Sequence, residues 1–392
     1  MLVETATWSR STGWQPFMPL PDGRPSLLLV FGAPLRSPAD SHVVDDDFLE
    51  LLHPVADPLR EVARRWADHA VLGCSTPGHI VDTASPEVAV AVAAVRFDHT
   101  DVRPVHLDVA RSGGPRAAGR AVADELAGAD LRAVLAFGDA HTVHGEAFAA
   151  GFAERLPGVP LVGGLAGDVD TRVESWVLVD GERRGGWVGA VGLSGPHLEL
   201  GFGSAGGWDL FGPERLVTQS YGNVLYELDG KPALPLYREY LGELGDELPE
   251  AAVAFPMAVR DLEDRTVIRS VCSVNPATES LRFAADVPQG AVAQLMRAST
   301  DRLVHGAHLA ARQARVGGEE LAIAISCVGR RRVLGERCDE ELDAVAEALN
   351  PTARIVGCYA LASWSPAIGG SDLHNETMTI ATLREHVRTV PS

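Results

Sequence analysis

One local pattern recurs three times and limits the fold more than any other feature of the chain. An apolar run leads into a helical segment and then into a second apolar run that carries glycine and small side chains. The first copy joins residues 27–32 to Val71-Leu72-Gly73-Cys74-Ser75-Thr76. The second joins residues 133–138 to Leu161-Val162-Gly163-Gly164-Leu165-Ala166-Gly167-Asp168. The third joins residues 321–326 to Ile355-Val356-Gly357-Cys358-Tyr359. Each copy reads as strand–helix–strand, so the three units are expected to superpose, with Gly73, Gly163 and Gly357 at equivalent strand ends. In open α/β sheets ligands sit at the carboxyl ends of strands. Glycine there lets a molecule approach the backbone closely.

The segments between the units fill in the class. Residues 1–25, with Pro16, Pro19, Pro21 and Asp22-Gly23, read as an arm with turns. Leu59, Val62, Ala63 and Trp66 share one face of a helix over 58–70 that starts on Pro58. Residues 88–97 and 102–107, separated by Asp98-His99-Thr100, read as a hairpin. Further helices are expected over 116–127, 145–156 and 301–315, and strands at 175–179, 186–193, 197–202, 252–259, 266–274 and 376–383. The texture changes after Trp208, and a domain boundary is placed near Gly230. The expectation is an α/β fold of mixed sheets flanked by helices, built from repeated strand–helix–strand units with added β-hairpins. Its two closely packed domains would span 26–230 and 231–388.

Composition excludes some partners. The 392 residues carry a net charge of -19, which disfavours nucleic acid and anionic membrane surfaces. The longest apolar run, 88–95, is far short of the ~20 residues that cross a bilayer as a helix. Five cysteines without a C-x-x-C pair form neither a disulfide framework nor a zinc signature. With no signal-like segment before Pro16, the expected location is the cytoplasm.

Individual constellations are weaker than the repeat. Gly201-Phe202-Gly203-Ser204-Ala205-Gly206 spells a dinucleotide fingerprint, but Gly207 and Pro213 interrupt the helix that motif requires. Cys74 resembles a nucleophile at an elbow, yet proline follows where glycine is wanted; a small buried structural thiol is the expectation. Asp139, His141, His144 and Glu146 hold metal-ligand chemistry at poor spacing, and no metal or cofactor is expected. Arg330 offers a fork of donors to an anion. His374-Asn375 supplies donors and acceptors beside the last strand.

Taken in order, these segments resemble the FIST family, the F-box and intracellular signal transduction proteins, with an N-terminal and a C-terminal FIST domain. The likeness rests on G-C-S-T at 73–76, Phe137-Gly138-Asp139 with Gly145-Glu146, V-G-G-L-A-G-D at 162–168, 222–230 with Pro232-Ala233, 326–330 and H-N-x-T-M-T at 374–379. The resemblance implies a non-catalytic sensory module that binds a small molecule, with amino acids suggested, and that acts on a separate signalling partner. Two positions depart from the family pattern, which has glutamate where this chain has His79 and Ser363; Ala362 also replaces a glycine.

The expected function is a cytosolic small-molecule sensor whose ligand is an amino acid or other small anionic or zwitterionic metabolite. Its expected ligand contacts are Cys74, Ser75 and Thr76 from the first unit and Gly164 and Asp168 from the second. Cys327, Arg330, Tyr359, His374 and Asn375 come from the third. The alternatives are a cysteine-dependent hydrolase or transferase using Cys74 or Cys327, and an interaction scaffold with a vestigial pocket. His374 and Arg330 are expected to lie together at one pocket, the arginine keeping the imidazole neutral.

Overall fold

The computed structural model describes residues 1–36, 57–167, 173–367 and 370–386. The first unit runs β1 (Leu2–Ser9), β2 (Gly13–Gln15), β3 (Ser26–Gly32), β4 (Leu35–Arg36), α1 (Pro58–Arg65), β5 (Ala70–Ser75), β6 (His79–Val81) and β7 (Val90–Arg96). The second runs β8 (Asp101–Asp108), α2 (Pro115–Leu126), β9 (Leu131–Asp139), α3 (Gly145–Arg155) and β10 (Leu161–Ala166). It continues through β11 (Val173–Glu174), β12 (Val177–Val179) and β13 (Glu182–Arg184) to β14 (Trp187–Ser194).

The third unit opens with β15 (Leu198–Ala205) and is then interrupted by an insert of mostly antiparallel strands. These are β16 (Asp209–Tyr221), β17 (Val224–Leu228), β18 (Lys231–Pro232), α4 (Ala233–Leu241), β19 (Met257–Arg260), β20 (Thr266–Arg269), β21 (Val271–Asn275), β22 (Ser280–Phe283) and β23 (Val292–Arg297). The unit resumes with α5 (Thr300–Gln313), β24 (Leu321–Cys327), α6 (Val328–Leu334) and α7 (Cys338–Ala348). Last come β25 (Arg354–Ala360), β26 (Ala362–Ala367), β27 (Gly370–His374) and β28 (Met378–Glu385).

The repeat is real and goes further than the sequence pattern. In each unit the two apolar runs pair in parallel: β3 with β5, β9 with β10, and β24 with β25. An antiparallel strand covers the other side of the first run: β7, β14 and β28. A further antiparallel strand lies outside that: β1, β8 and β15. Strands β3, β7 and β24 are buried along their whole length because both faces are covered. Inward residues Leu29, Phe31, Leu135, Phe137, Ile323 and Ile325 share one central core, where the rings of Phe31 and Phe137 meet edge to face at 5.6 Å. Outward residues pack beneath helices: Leu28 and Val30 with Leu59 and Val62 of α1, Val134 and Ala136 with Phe148 of α3, and Ala322 and Ala324 with Leu342 of α7.

The units trade strands in a cycle. After β5 the chain crosses to pair β6 with β25 of the third unit. After β10 it crosses to pair β12 with β5 of the first. After β25 it crosses to pair β26 with β10 of the second. The main sheet of each unit is thus completed by a strand belonging to another unit.

Several local expectations need correction. Residues 2–9 are not an arm; β1 pairs with β7 from Leu2 to Trp8. Residues 88–97 and 102–107 do not form a hairpin, because β7 and β8 belong to different sheets. Helix α1 ends at Arg65, where the chain must turn to enter β5. Residues 250–254 form a 3-10 turn rather than a strand. The glycines sit at equivalent positions, but inside strands and not at their ends. Gly73 lies opposite Val30, Gly163 opposite Ala136 and Gly357 opposite Ala324. A Cβ on Gly163 or Gly357 would overlap the carbonyl oxygen of its partner, so these glycines serve strand contact. Gly230 falls in the turn between β17 and β18, inside the inserted sheet.

Candidate functional site

The residues after the first-unit glycine work at the strand exchange. The Ser75 hydroxyl accepts the amide of Trp176 at 3.0 Å. Thr76 Oγ1 accepts the amides of Gly78 and Tyr359, each at 3.1 Å, and lies 2.6 Å from the Gly78 carbonyl. It therefore clasps the start of β6 to β25. Cys74 is buried, and burial followed by its hydrogen bond with the Cys358 thiol pushes its pKa well up. His79 is buried opposite Cys358, and burial together with Arg331 lowers it to about 4. His79 and Ser363 occupy matching places, Ser363 lying opposite Gly164 as His79 lies opposite Cys358.

The second unit's polar residues are also engaged. Asp139 accepts the His141 amide at 3.0 Å, the Gly186 amide at 2.7 Å, the Thr142 hydroxyl at 3.1 Å and the Ser175 hydroxyl. It is a satisfied turn carboxylate. His144 caps α3 through Nδ1 and meets Asp286 Oδ1 through Nε2 at 3.2 Å. His144, Glu146 and Asp286 bring ligand atoms within 4.8 Å of one another. The Arg269 guanidinium already binds Glu146, whose other oxygen accepts the Asp286 amide at 2.9 Å. An arginine thus holds the place a cation would take. Gly164 packs against the Ala362 carbonyl, and Asp168 lies outside the described residues.

In the third unit Arg330 and Glu341 are wholly buried and paired at 2.9 Å. Arg330 also donates to the carbonyls of Leu303, at 2.8 Å, and Gly206. Glu341 accepts the hydroxyls of Ser326 and Tyr359 at 3.1 and 3.0 Å, and burial pushes the Tyr359 phenol far up. The Arg330 fork is therefore occupied by protein groups. It does not approach His374 as expected: the arginine acting on His374 is Arg269, which donates to the Leu373 carbonyl at 2.9 Å. The neutral imidazole expected of His374 does hold, because burial, opposed by Asp372 and aided by Arg269, lowers it to about 4.

Beside this network lies a corner made by the start of α6, the β25–β26 connection and residues 374–377. Cys327 caps α6, its sulfur accepting the Gly329 amide at 3.4 Å and lying 3.9 Å from the Leu361 carbonyl. Burial and the Glu376 carboxyl push its thiol far up. Asn375 is fully buried; its Nδ2 donates to Leu361 O at 3.3 Å, and its Oδ1 has no partner. Glu376 is 1% exposed at a φ of 57°, a region costly for a side chain with a Cβ and a pointer toward function. Its Oε1 accepts the Ser270 hydroxyl at 2.6 Å, and its carbonyl accepts the Trp208 indole at 2.7 Å. Its Oε2 has no partner and lies against Gly329, where a Cβ would collide with it. Burial raises its pKa to about 7, outweighing the Ser270 hydroxyl, the charge of Arg330 and the neighbouring Cys327 thiol. Next to it, Ser363 Oγ lies 2.9 Å from Thr379 Oγ1, which is 3.1 Å from Ser204 Oγ.

Sequence reasoning reached Cys327, His374 and Asn375 but passed over Glu376 and Ser270. A glutamate at the mouth of an apolar strand was the available signal for the first. Ser270 had none, since only the insert's docking brings it there. With Glu376 ionised the unpaired groups here are acceptors, so in that state the corner suits a hydrogen-bond donor or a cation.

Comparison with known proteins agrees with this architecture. The FIST N domain model matches residues 48–231 and the FIST C domain model residues 233–362. The corner residues 374–376 lie just beyond the second match. No curated protein matches the chain. None of the described helices is long and apolar enough to cross a membrane. With the two domain models together matching most of its length, the chain belongs to the FIST family.

Proposed function

We propose that this protein is a small-molecule-binding sensory component of intracellular signal transduction, with its ligand seated at the third-unit corner. The family is associated with sensory roles in signal transduction. The observation that carries the reading is the pair of buried, unpartnered acceptors, Glu376 Oε2 and Asn375 Oδ1. Each such atom costs ~1–3 kcal/mol when left unpaired, and a ligand donor would recover it. The ligand class that fits is a small polar molecule carrying an ammonium or amide N–H, an amino acid among them. Glu376 and Asn375 would take the donor, and neutral His374 would supply either role. Arg330 is committed to Glu341, so an anionic end would have to be met by hydroxyls. In this reading Cys74, Ser75, Thr76, Gly164 and Tyr359 frame the site through the strand exchange. A thiolate enzyme draws no support from Cys74 or Cys327, whose thiols burial holds protonated. Output would pass to a separate partner.

The test is thermal shift against a panel of amino acids, amines and carboxylic acids. Ammonium-bearing compounds should raise the melting temperature of the wild-type chain. His374→Ala and Asn375→Ala should abolish that rise while changing the melting temperature of the free protein little. A rise kept in both variants, or produced only by carboxylic acids, refutes the reading.

A further inference from the structure

Cys327, Asn375 and Glu376 are too buried to be reached as they stand, and what covers Glu376 is the insert. Ser270 of the insert bonds Glu376 from above, Trp208 bonds its carbonyl, and the turn at Glu250–Ala254 packs against α6. The chain enters and leaves the insert at one place, because Asp209 pairs with Arg297 at the first register position of β16 and β23. Just before this pair stand Gly206 and Gly207, the latter at a φ of +84° against the backbone of Arg302. A small apolar cluster sits beside the crossing, with Trp208, Ala258 and Met296 packed on Leu303, Leu334 and Cys338.

A second contact with the body is largely ionic, with Ala285 of the insert packed beside it in the cluster of Phe148, Trp364 and Leu373. Arg269 binds Glu146 and the Leu373 carbonyl, and Asp286 meets His144 at 3.2 Å while its amide reaches Glu146. His144 and Asp286 are half-exposed, whereas Arg269 is almost wholly buried. An element whose chain enters and leaves at one place, and whose contact farther along the chain is held mainly by exchangeable ion pairs, has the construction of a hinged part.

We propose that the inserted sheet is a hinged cover over the third-unit corner, turning at Gly206-Gly207 and held shut by an ionic latch of Arg269 and Asp286 on Glu146 and His144. What the cover hides rests on the site reading above; the latch and hinge do not depend on it. Arg330, which donates to the Gly206 carbonyl from α6, ties the corner directly to the hinge. Displacement of Glu376 or α6 by a ligand would therefore reach the cover through one side chain.

The cysteines report on opening without any ligand. Cys327 lies under the cover, Cys74 and Cys358 lie in the central core, and Cys272 is exposed on the insert. Alkylation by iodoacetamide is followed for each cysteine by mass spectrometry in the full chain. Loss of the latch in Arg269→Met should speed Cys327 labelling about tenfold, with Cys74 and Cys358 unchanged. Asp286→Asn, a milder change, should speed it about threefold, and it decides the matter alone if Arg269→Met does not fold. Cys327 labelling that ignores both changes overturns the cover. So does equal acceleration at Cys74, Cys358 and Cys327, which reports general loosening. Selective acceleration at Cys327 in a chain that binds none of the compounds tested upholds the cover while the site reading falls.

Discussion

Glu376→Gln isolates the most perturbed carboxyl of the corner. Burial raises this group from 4.5 to about 7 in the folded chain. Between those values the folded state binds a proton that the unfolded state has released. Stability from this group is therefore complete below the unfolded pKa and is lost as pH rises through the folded one. At roughly 1.4 kcal/mol per pKa unit the whole span is worth about 3 kcal/mol, most of which falls between about pH 5 and about pH 8. Glutamine keeps the shape and cannot titrate. Urea unfolding of both chains across that range cancels the contribution of every other group. The wild-type chain should lose about 2–3 kcal/mol relative to Glu376→Gln on going to the higher pH, with equal urea slopes. A difference that stays flat with pH would mean that the carboxyl is solvated and that the corner is not a dry acceptor site.

Two further substitutions test the exchange that frames the corner. Thr76→Val removes the hydroxyl that accepts two buried amides and should cost ~2–3 kcal/mol in urea unfolding; a loss under ~0.5 kcal/mol would show that water replaces it. Gly163→Ala should unfold the chain or lower its stability by more than ~3 kcal/mol, while Gly128→Ala, where a Cβ meets nothing within 4 Å, should be nearly neutral by circular dichroism melting.

The parallel pairs were readable because burial on both faces leaves long apolar runs, as in 27–31 and 321–325. Their equivalence was readable from the glycines. The partners of β6 and β12 were not, since strands of three residues carry almost no pattern, and neighbours in sequence were assumed to pair. Residues 88–97 were misjudged for that reason. At the corner, side-chain chemistry pointed to Cys327, His374 and Asn375. Charge was no guide to the other two: Arg330 reads as a free fork of donors, but Glu341 meets it one helix later, and Glu376 drew no reading because only the insert's docking buries it. A residue's neighbours across a fold leave no trace in its own stretch of chain.

The cyclic trade of strands also sets how the protein is made. The first sheet cannot be finished until β12 has been synthesised, and the second must wait for β26. The early β6 meanwhile has no partner until β25 leaves the ribosome. Such long loops close late and slowly. A nascent chain stalled before residue 354 holds open sheet edges that invite chaperones or aggregation, and the cycle of exchanges closes only once β26 has emerged.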